Sequence, residues 1–199
     1  MIGTCLAAIA LGLTPPVITP DELSASRDSI SRAIRYRIDV PAPLDRVWHA
    51  WTTVPGLREW FARDAVVELA ALGRFEILFM PENPPGQRGA ENNLILAVQP
   101  QRFLSFTWDA PPSNPEARRQ RTSVALRFQS LGPTQTRVWF EQTGWGEGGS
   151  WDVAFDYFTE VWAGVLAQLR YRFTNGPLDW DRPPTSEQLT RFTVLVERW

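Results

Sequence analysis

The chain contains no lysine; all 20 of its basic residues are arginine. Schiff-base chemistry and a lysine general base are therefore excluded. Cys5 is the only cysteine and His49 the only histidine. No disulfide can form within the chain and a His/Cys metal cluster is excluded, so neither a metal nor a cofactor is expected. The formal net charge is −2, without the basic excess of a nucleic-acid binder, and no nucleic-acid partner is expected. The apolar stretch from Cys5 to Leu13 is too short to cross a membrane, so no integral span is expected. It looks like the core of a signal peptide, and Ser24-Ala25-Ser26 offers small residues for cleavage, but no basic residue precedes it. Residues 1–31 read as a signal segment or as a retained leader, with a short helix after Pro20 over Asp21–Ser31. Exported and cytoplasmic locations are equally open.

Aromatic residues are plentiful, with 10 Trp in 199 residues. Residues 151–173 place Phe155, Phe158, Trp162, Val165, Leu166, Leu169 and Phe173 at steps of three and four. That spacing predicts an α-helix of about six turns with one apolar stripe. A stripe this aromatic must cover something large and apolar.

Upstream, AIRYRIDV (33–40) alternates apolar and charged residues and predicts a half-buried strand. Pro41 and Pro43 end it. Short helices follow over Leu44–Thr52 and Leu57–Phe61. Six further strand-like runs follow at 65–69, 74–80, 93–98, 103–108, 122–128 and 136–142, punctuated by Pro and Gly in the manner of an antiparallel meander. One helix laid on one curved antiparallel sheet is the economical α+β arrangement. Residues 32–178 form this domain. Residues 179–199 form a tail in which Leu189, Phe192, Val196 and Trp199 stand at helical spacing, although TVLV fits a strand equally. The Pro-rich loops 81–92 and 110–120 are longer than hairpins need and are expected to rim a ligand site.

GWGEGG (144–149) spells GxGxxG, but the preceding strand alternates and no strand follows the helix. Leu169 and Arg170 stand where a ribose-binding carboxylate belongs, so the motif reads as a turn feeding Ser150 as helix cap and Asp152 into the first turn. His49 lies off the Val47/Trp51 stripe with no local partner, and reads as a partly exposed structural residue. Glu76 and Glu141 share the parity of exposed neighbours and are expected to face solvent. Glu91, beside Arg88 in the rim loop, is the carboxylate placed to help fix a polar head group.

In order and spacing, VPAPLDRVWHAWTTVPGLREWF (40–61), LGRFEILF (72–79), RFLSFTW (102–108) and TGWGEGGSWDVAFDYFTEVWAGVLAQL (143–169) resemble the START-like, birch-pollen-allergen-like helix-grip superfamily, also called SRPBCC. More narrowly they resemble its bacterial branch named after the activator of the heat-shock-protein-ninety ATPase. The resemblance implies a helix-grip fold: a sheet of six to seven antiparallel strands wrapped on a long C-terminal helix, two short helices after the first strand, and a hydrophobic cavity. It implies members that bind or act on apolar small molecules, some of them assisting a chaperone. Many members carry a His in the strand before the Gly-Trp loop, where this chain has Gln142.

The expected activity is non-catalytic binding of a small, mostly hydrophobic ligand between helix and sheet. Trp60, Phe79, Trp108, Trp145, Phe158 and Trp162 are expected at the pocket, with Arg88 and Glu91 at its mouth. No catalytic residue is assigned. An enzyme of cyclase or hydrolase type using the same cavity, and a co-chaperone-like module with a chaperone partner, are the alternatives.

Overall fold

Alternation dictates the first strand. In the computed structural model, which describes residues 32–192 and 195–196, β1 (Ile34–Val40) buries Ile34, Tyr36, Ile38 and Val40 and leaves Arg35, Arg37 and Asp39 on the other face. The leader, including Cys5 and the helix expected over Asp21–Ser31, lies outside the described residues, as does Trp199. After the prolines, α1 (Leu44–Thr52) buries Val47, Trp48 and Trp51. The next helix, α2 (Val54–Arg58), starts earlier than expected because Thr53 caps it. The Thr53 hydroxyl accepts the Gly56 N–H at 3.0 Å, and Pro55 occupies the first turn, where its missing N–H is harmless.

Two antiparallel sheets carry the core. β2 (Asp64–Val67), β3 (Phe75–Leu78) and β4 (Gly89–Ala90) form one. β5 (Ile95–Gln99), β6 (Phe103–Trp108), β7 (Thr122–Gly132) and β8 (Gln135–Thr143) join β1 and β9 (Leu195–Val196) in the other, ordered β5-β6-β7-β8-β1-β9. An antiparallel bridge between Arg74 and Leu94 ties the sheets together, and the Phe75 N–H donates to the Asn93 carbonyl at 2.8 Å. Every strand run expected from the sequence is present. β4 arises inside loop 81–92 and the short helix α3 (Pro115–Arg118) inside loop 110–120, both too brief to leave a periodic signature. The tail contains the short helix α5 (Ser186–Leu189) and then β9, which pairs with the edge of β1.

The long helix α4 (Gly149–Asn175) packs on β1 and buries Phe158, Trp162, Leu166 and Leu169. The Tyr36 hydroxyl donates to the Thr159 carbonyl, fixing the helix along the strand. Ser150 is not its cap. Gly148 (φ 70°) and Gly149 (φ 47°) take left-handed backbone and start the helix early, with Gly148 at the cap position. The Ser150 carbonyl instead accepts from Asn114 Nδ2 at 2.7 Å. Asp152 does lie in the first turn, paired with Arg32 at 2.6 Å.

Glu76 also departs from expectation. All four residues of β3 are buried, and Glu76 is only 9% exposed. Its Oε1 accepts the Asn92 N–H at 3.0 Å, so the turn after β4 folds over the carboxylate. Among the described residues, no helix is long and apolar enough to cross a membrane.

A cavity between the long helix and the sheet

The cavity lies beside the N-terminal half of α4 and has a volume of about 300 Å³, at the small end for ligand pockets. One wall is helical: Tyr157, Phe158, Val161, Trp162 and Val165 recur at steps of one, three and four along α4. The facing wall is Trp108 at the end of β6 and Phe61 just after α2. Phe61 stacks on Trp108 with ring centroids 6.0 Å apart and meets Trp162 edge-on at 5.9 Å. Such offset and edge contacts make rigid apolar walls. Phe79 and Met80, after β3, and Tyr157 are exposed at the mouth. Both long loops reach the rim, through Gln87 and Gly89 from one and Ala110, Pro111, Pro112 and Arg118 from the other.

Phe79, Trp108, Phe158 and Trp162 come together on this cavity. Trp60 does not reach it. Trp60 is fully buried between Trp51 and Phe61, at 4.7 and 4.8 Å, and donates from Nε1 to the Ala50 carbonyl. Trp145 lies behind Phe158, 5.8 Å away, with its Nε1 donating to the Gln142 carbonyl at 3.1 Å. Arg88 and Glu91 do not line the cavity either. Glu91, 2% exposed, accepts from the Gly86 and Arg88 N–H groups at 3.0 and 2.9 Å and from Arg88 Nε at 2.8 Å. These contacts stitch the rim loop to itself.

The polar part of the cavity is made by residues that sequence reasoning missed. Asp109, directly after β6, is 3% exposed. Its Oδ1 accepts from Asn93 Nδ2 at 2.9 Å, while Asn93 Oδ1 accepts from the Thr107 hydroxyl at 3.1 Å. Arg118 Nη1 stands 2.6 Å from Asp109 Oδ2, an ion pair made off the hydrogen-bond direction. Arg118 also donates from Nη1 to the Ala110 carbonyl and from Nη2 to the Gly89 carbonyl at 2.8 Å, tying the two rim loops together. Burial pushes the Asp109 carboxyl above its ordinary 3.8, against the pull of the Asn93 hydrogen bond and the charges of Arg118 and Arg121. Among the described residues, Asp109 Oδ2 and the Trp108 indole Nε1 are buried without a hydrogen-bond partner. In the sequence, Asp109 is one acid before Ala-Pro-Pro, indistinguishable from a solvated turn residue.

Gln142 was noticed only as a replacement for histidine. It is fully buried, donates from Nε2 to the Thr122 hydroxyl at 2.8 Å, and accepts from Trp162 Nε1 at 2.7 Å. An amide cannot exchange a proton near neutral pH, so its contribution is to hold Trp162 in the wall. His49 is exposed, and its ring Nε2 lies 3.2 Å from the Thr53 hydroxyl. Among the described residues, no group of three or more His, Cys, Asp and Glu side chains could hold a metal ion.

A long helix held in a curved antiparallel sheet over an apolar cavity defines the helix-grip class. Within that class the chain belongs to the family described as Activator of Hsp90 ATPase homolog 1-like protein, which matches residues 41–174. Protein MLL2253 from Mesorhizobium loti is similar at 21% identity and a TM-score of 0.58, over 74% of this chain and 100% of that one. CalU16 from Micromonospora echinospora shares 23% identity with a TM-score of 0.55, over 81% of each chain. The Aha1 dimer from Colwellia psychrerythraea shares 18% identity with a TM-score of 0.56, over 73% of this chain and 98% of that one. At these identities the likeness is one of fold. No curated protein matches the chain.

Proposed function

We propose that this protein is a non-catalytic binding module for a small, mostly apolar molecule held between α4 and the sheet. The observation that carries the reading is the aromatic-walled cavity of about 300 Å³ bounded by Phe61, Trp108, Phe158 and Trp162. Apolar walls with few polar groups reward burial of apolar ligand surface at about 25 cal/mol per Å². Membership of a family whose superfamily commonly binds such ligands supports it. The test uses the neutral fluorophore N-phenyl-1-naphthylamine. Saturable binding is expected, and Val161→Trp, which fills the cavity from a partly buried helix position, should abolish it while the circular dichroism stays unchanged. Non-saturable binding, or equal binding by the filled variant, would remove the reading.

One observation favours a second, catalytic reading: Asp109 is a buried carboxyl with a raised pKa on the cavity wall. A cyclase or hydrolase would require turnover that Asp109→Asn abolishes without loss of ligand affinity.

A further inference from the structure

Next to the cavity, α4 borders a second hollow of about 300 Å³, whose lining includes Pro111, Ser113, Asn114, Ser150, Val153 and Tyr157. Pro111 and Tyr157 line both spaces, so the two meet at the cavity mouth. Together they follow one side of the helix. Ser150, Val153, Tyr157, Val161 and Val165 recur at steps of three and four, a track about 22 Å long at 1.5 Å per residue. Each hollow alone is at the small end for a ligand site, whereas the pair falls within the ordinary range.

Their chemistries differ. The cavity is walled by aromatic rings, while the outer hollow offers the Ser113 and Ser150 hydroxyls and the Asn114 amide beside the Tyr157 ring. No charged side chain lines the outer hollow. Asn114 Oδ1 accepts from the Ala117 N–H at 3.3 Å and Nδ2 donates to the Ser150 carbonyl at 2.7 Å, which holds the amide in place with one N–H left to give. Val153 is 64% exposed and Tyr157 45%, apolar surface that the fold leaves uncovered along the track. An ionic head group would find no counter-charge here. A sugar or other polyol both donates and accepts at every hydroxyl, as the two serines do, and its less polar face can lie on the Tyr157 ring.

We propose that the binding site continues past Tyr157 and takes an uncharged amphiphile, its apolar body in the cavity and its polyhydroxyl head over Tyr157, Ser113, Asn114 and Ser150. This deepens the binding reading and rests on it.

The test gives one tail four different ends. Octyl β-D-glucopyranoside, octan-1-ol, octyl sulfate and octyltrimethylammonium each displace N-phenyl-1-naphthylamine from the full chain, below their micelle-forming concentrations. The glucoside should bind about tenfold more tightly than octan-1-ol, the worth of two or three net hydrogen bonds, and more tightly than either ion. The double variant Ser113→Ala/Ser150→Ala removes two hydroxyls without adding bulk. It should weaken the glucoside several-fold more than it weakens octan-1-ol. Equal wild-type affinities for glucoside and alcohol would overturn the outer subsite while leaving the cavity reading standing. An ion that binds as tightly as the glucoside would overturn the uncharged head. A preference that survives intact in the double variant would overturn the placement of the head at the two serines. If neither octan-1-ol nor the fluorophore binds, the cavity reading itself fails. The wild-type comparison alone decides the matter should the double variant not fold.

Discussion

At the scale of single residues, two buried carboxylates respond to their surroundings in opposite directions. Burial works against the charge of Glu91, but hydrogen bonds from the Gly86 and Arg88 backbone and the Arg88 guanidinium outweigh it and hold the carboxyl below its ordinary 4.5. A depressed folded value means that Glu91 stabilises the protein fully above the unfolded value, and that this contribution is lost as pH falls through the folded one. Asp109 has the opposite sign: its pKa is raised, so the cost of its buried charge is relieved as pH falls through the raised value toward 3.8. Replacing Glu91 with Gln should remove a buried charge-assisted network and cost about 3 kcal/mol at neutral pH. The difference from wild type should shrink once both are titrated below the ordinary Glu range. Urea unfolding at pH 7 and pH 3 checks this, and a variant as stable as wild type at both values would show that Glu91 does not hold the rim loop.

At the scale of elements, the start of α4 depends on a residue with no side chain. A Cβ on Gly146 would lie 2.3 Å from the Trp151 ring, which covers that stretch of backbone. Arg32 adds a hydrogen bond to the Gly146 carbonyl at 2.6 Å. Gly146→Ala should therefore push Trp151 aside and loosen the first turns of α4, costing about 1–2 kcal/mol. It should also weaken probe binding several-fold, because Tyr157 and Phe158 ride on those turns. Thermal unfolding and the probe isotherm measure the two effects; unchanged values in both would contradict the packing described. Such elements were readable in the sequence wherever a period runs for several residues. The stripe from Phe155 to Phe173 gave α4, and the alternation in Leu126, Phe128, Val138 and Phe140 gave β7 and β8. The aromatic walls Trp108, Phe158 and Trp162 were legible for the same reason. Asp109 and Arg118 were not, because they meet across a loop whose one helix, α3, is too short to leave a repeating spacing. Glu76 was misread because alternation assumes one wet face, whereas the turn at Asn92 covers the outer face of β3.

For the whole molecule, a cavity walled by α4 and the sheet couples ligand binding to stability, because the pocket exists only while the helix is docked. The helix is held along its length. Arg32 pairs with Asp152 near its start, Gln142 and Tyr36 bind its middle, and Arg172 donates to Glu59 near its end. Just beyond the helix, the Leu178 N–H donates to the Glu59 carbonyl at 2.8 Å and Trp180 Nε1 donates to the Arg58 carbonyl at 2.6 Å. Unfolding must therefore dismantle the pocket walls together with the core, and any molecule that binds only the folded state adds RT ln(1 + [L]/Kd) to the unfolding free energy. At a free ligand concentration of about 100 Kd that addition is about 2.7 kcal/mol. For a domain of this size it corresponds to a rise in Tm of about 5–10 °C. N-phenyl-1-naphthylamine should produce such a concentration-dependent rise in wild type and none in Val161→Trp. A Tm that does not move with probe at saturating concentration would mean that the helix and sheet close over space no ligand enters.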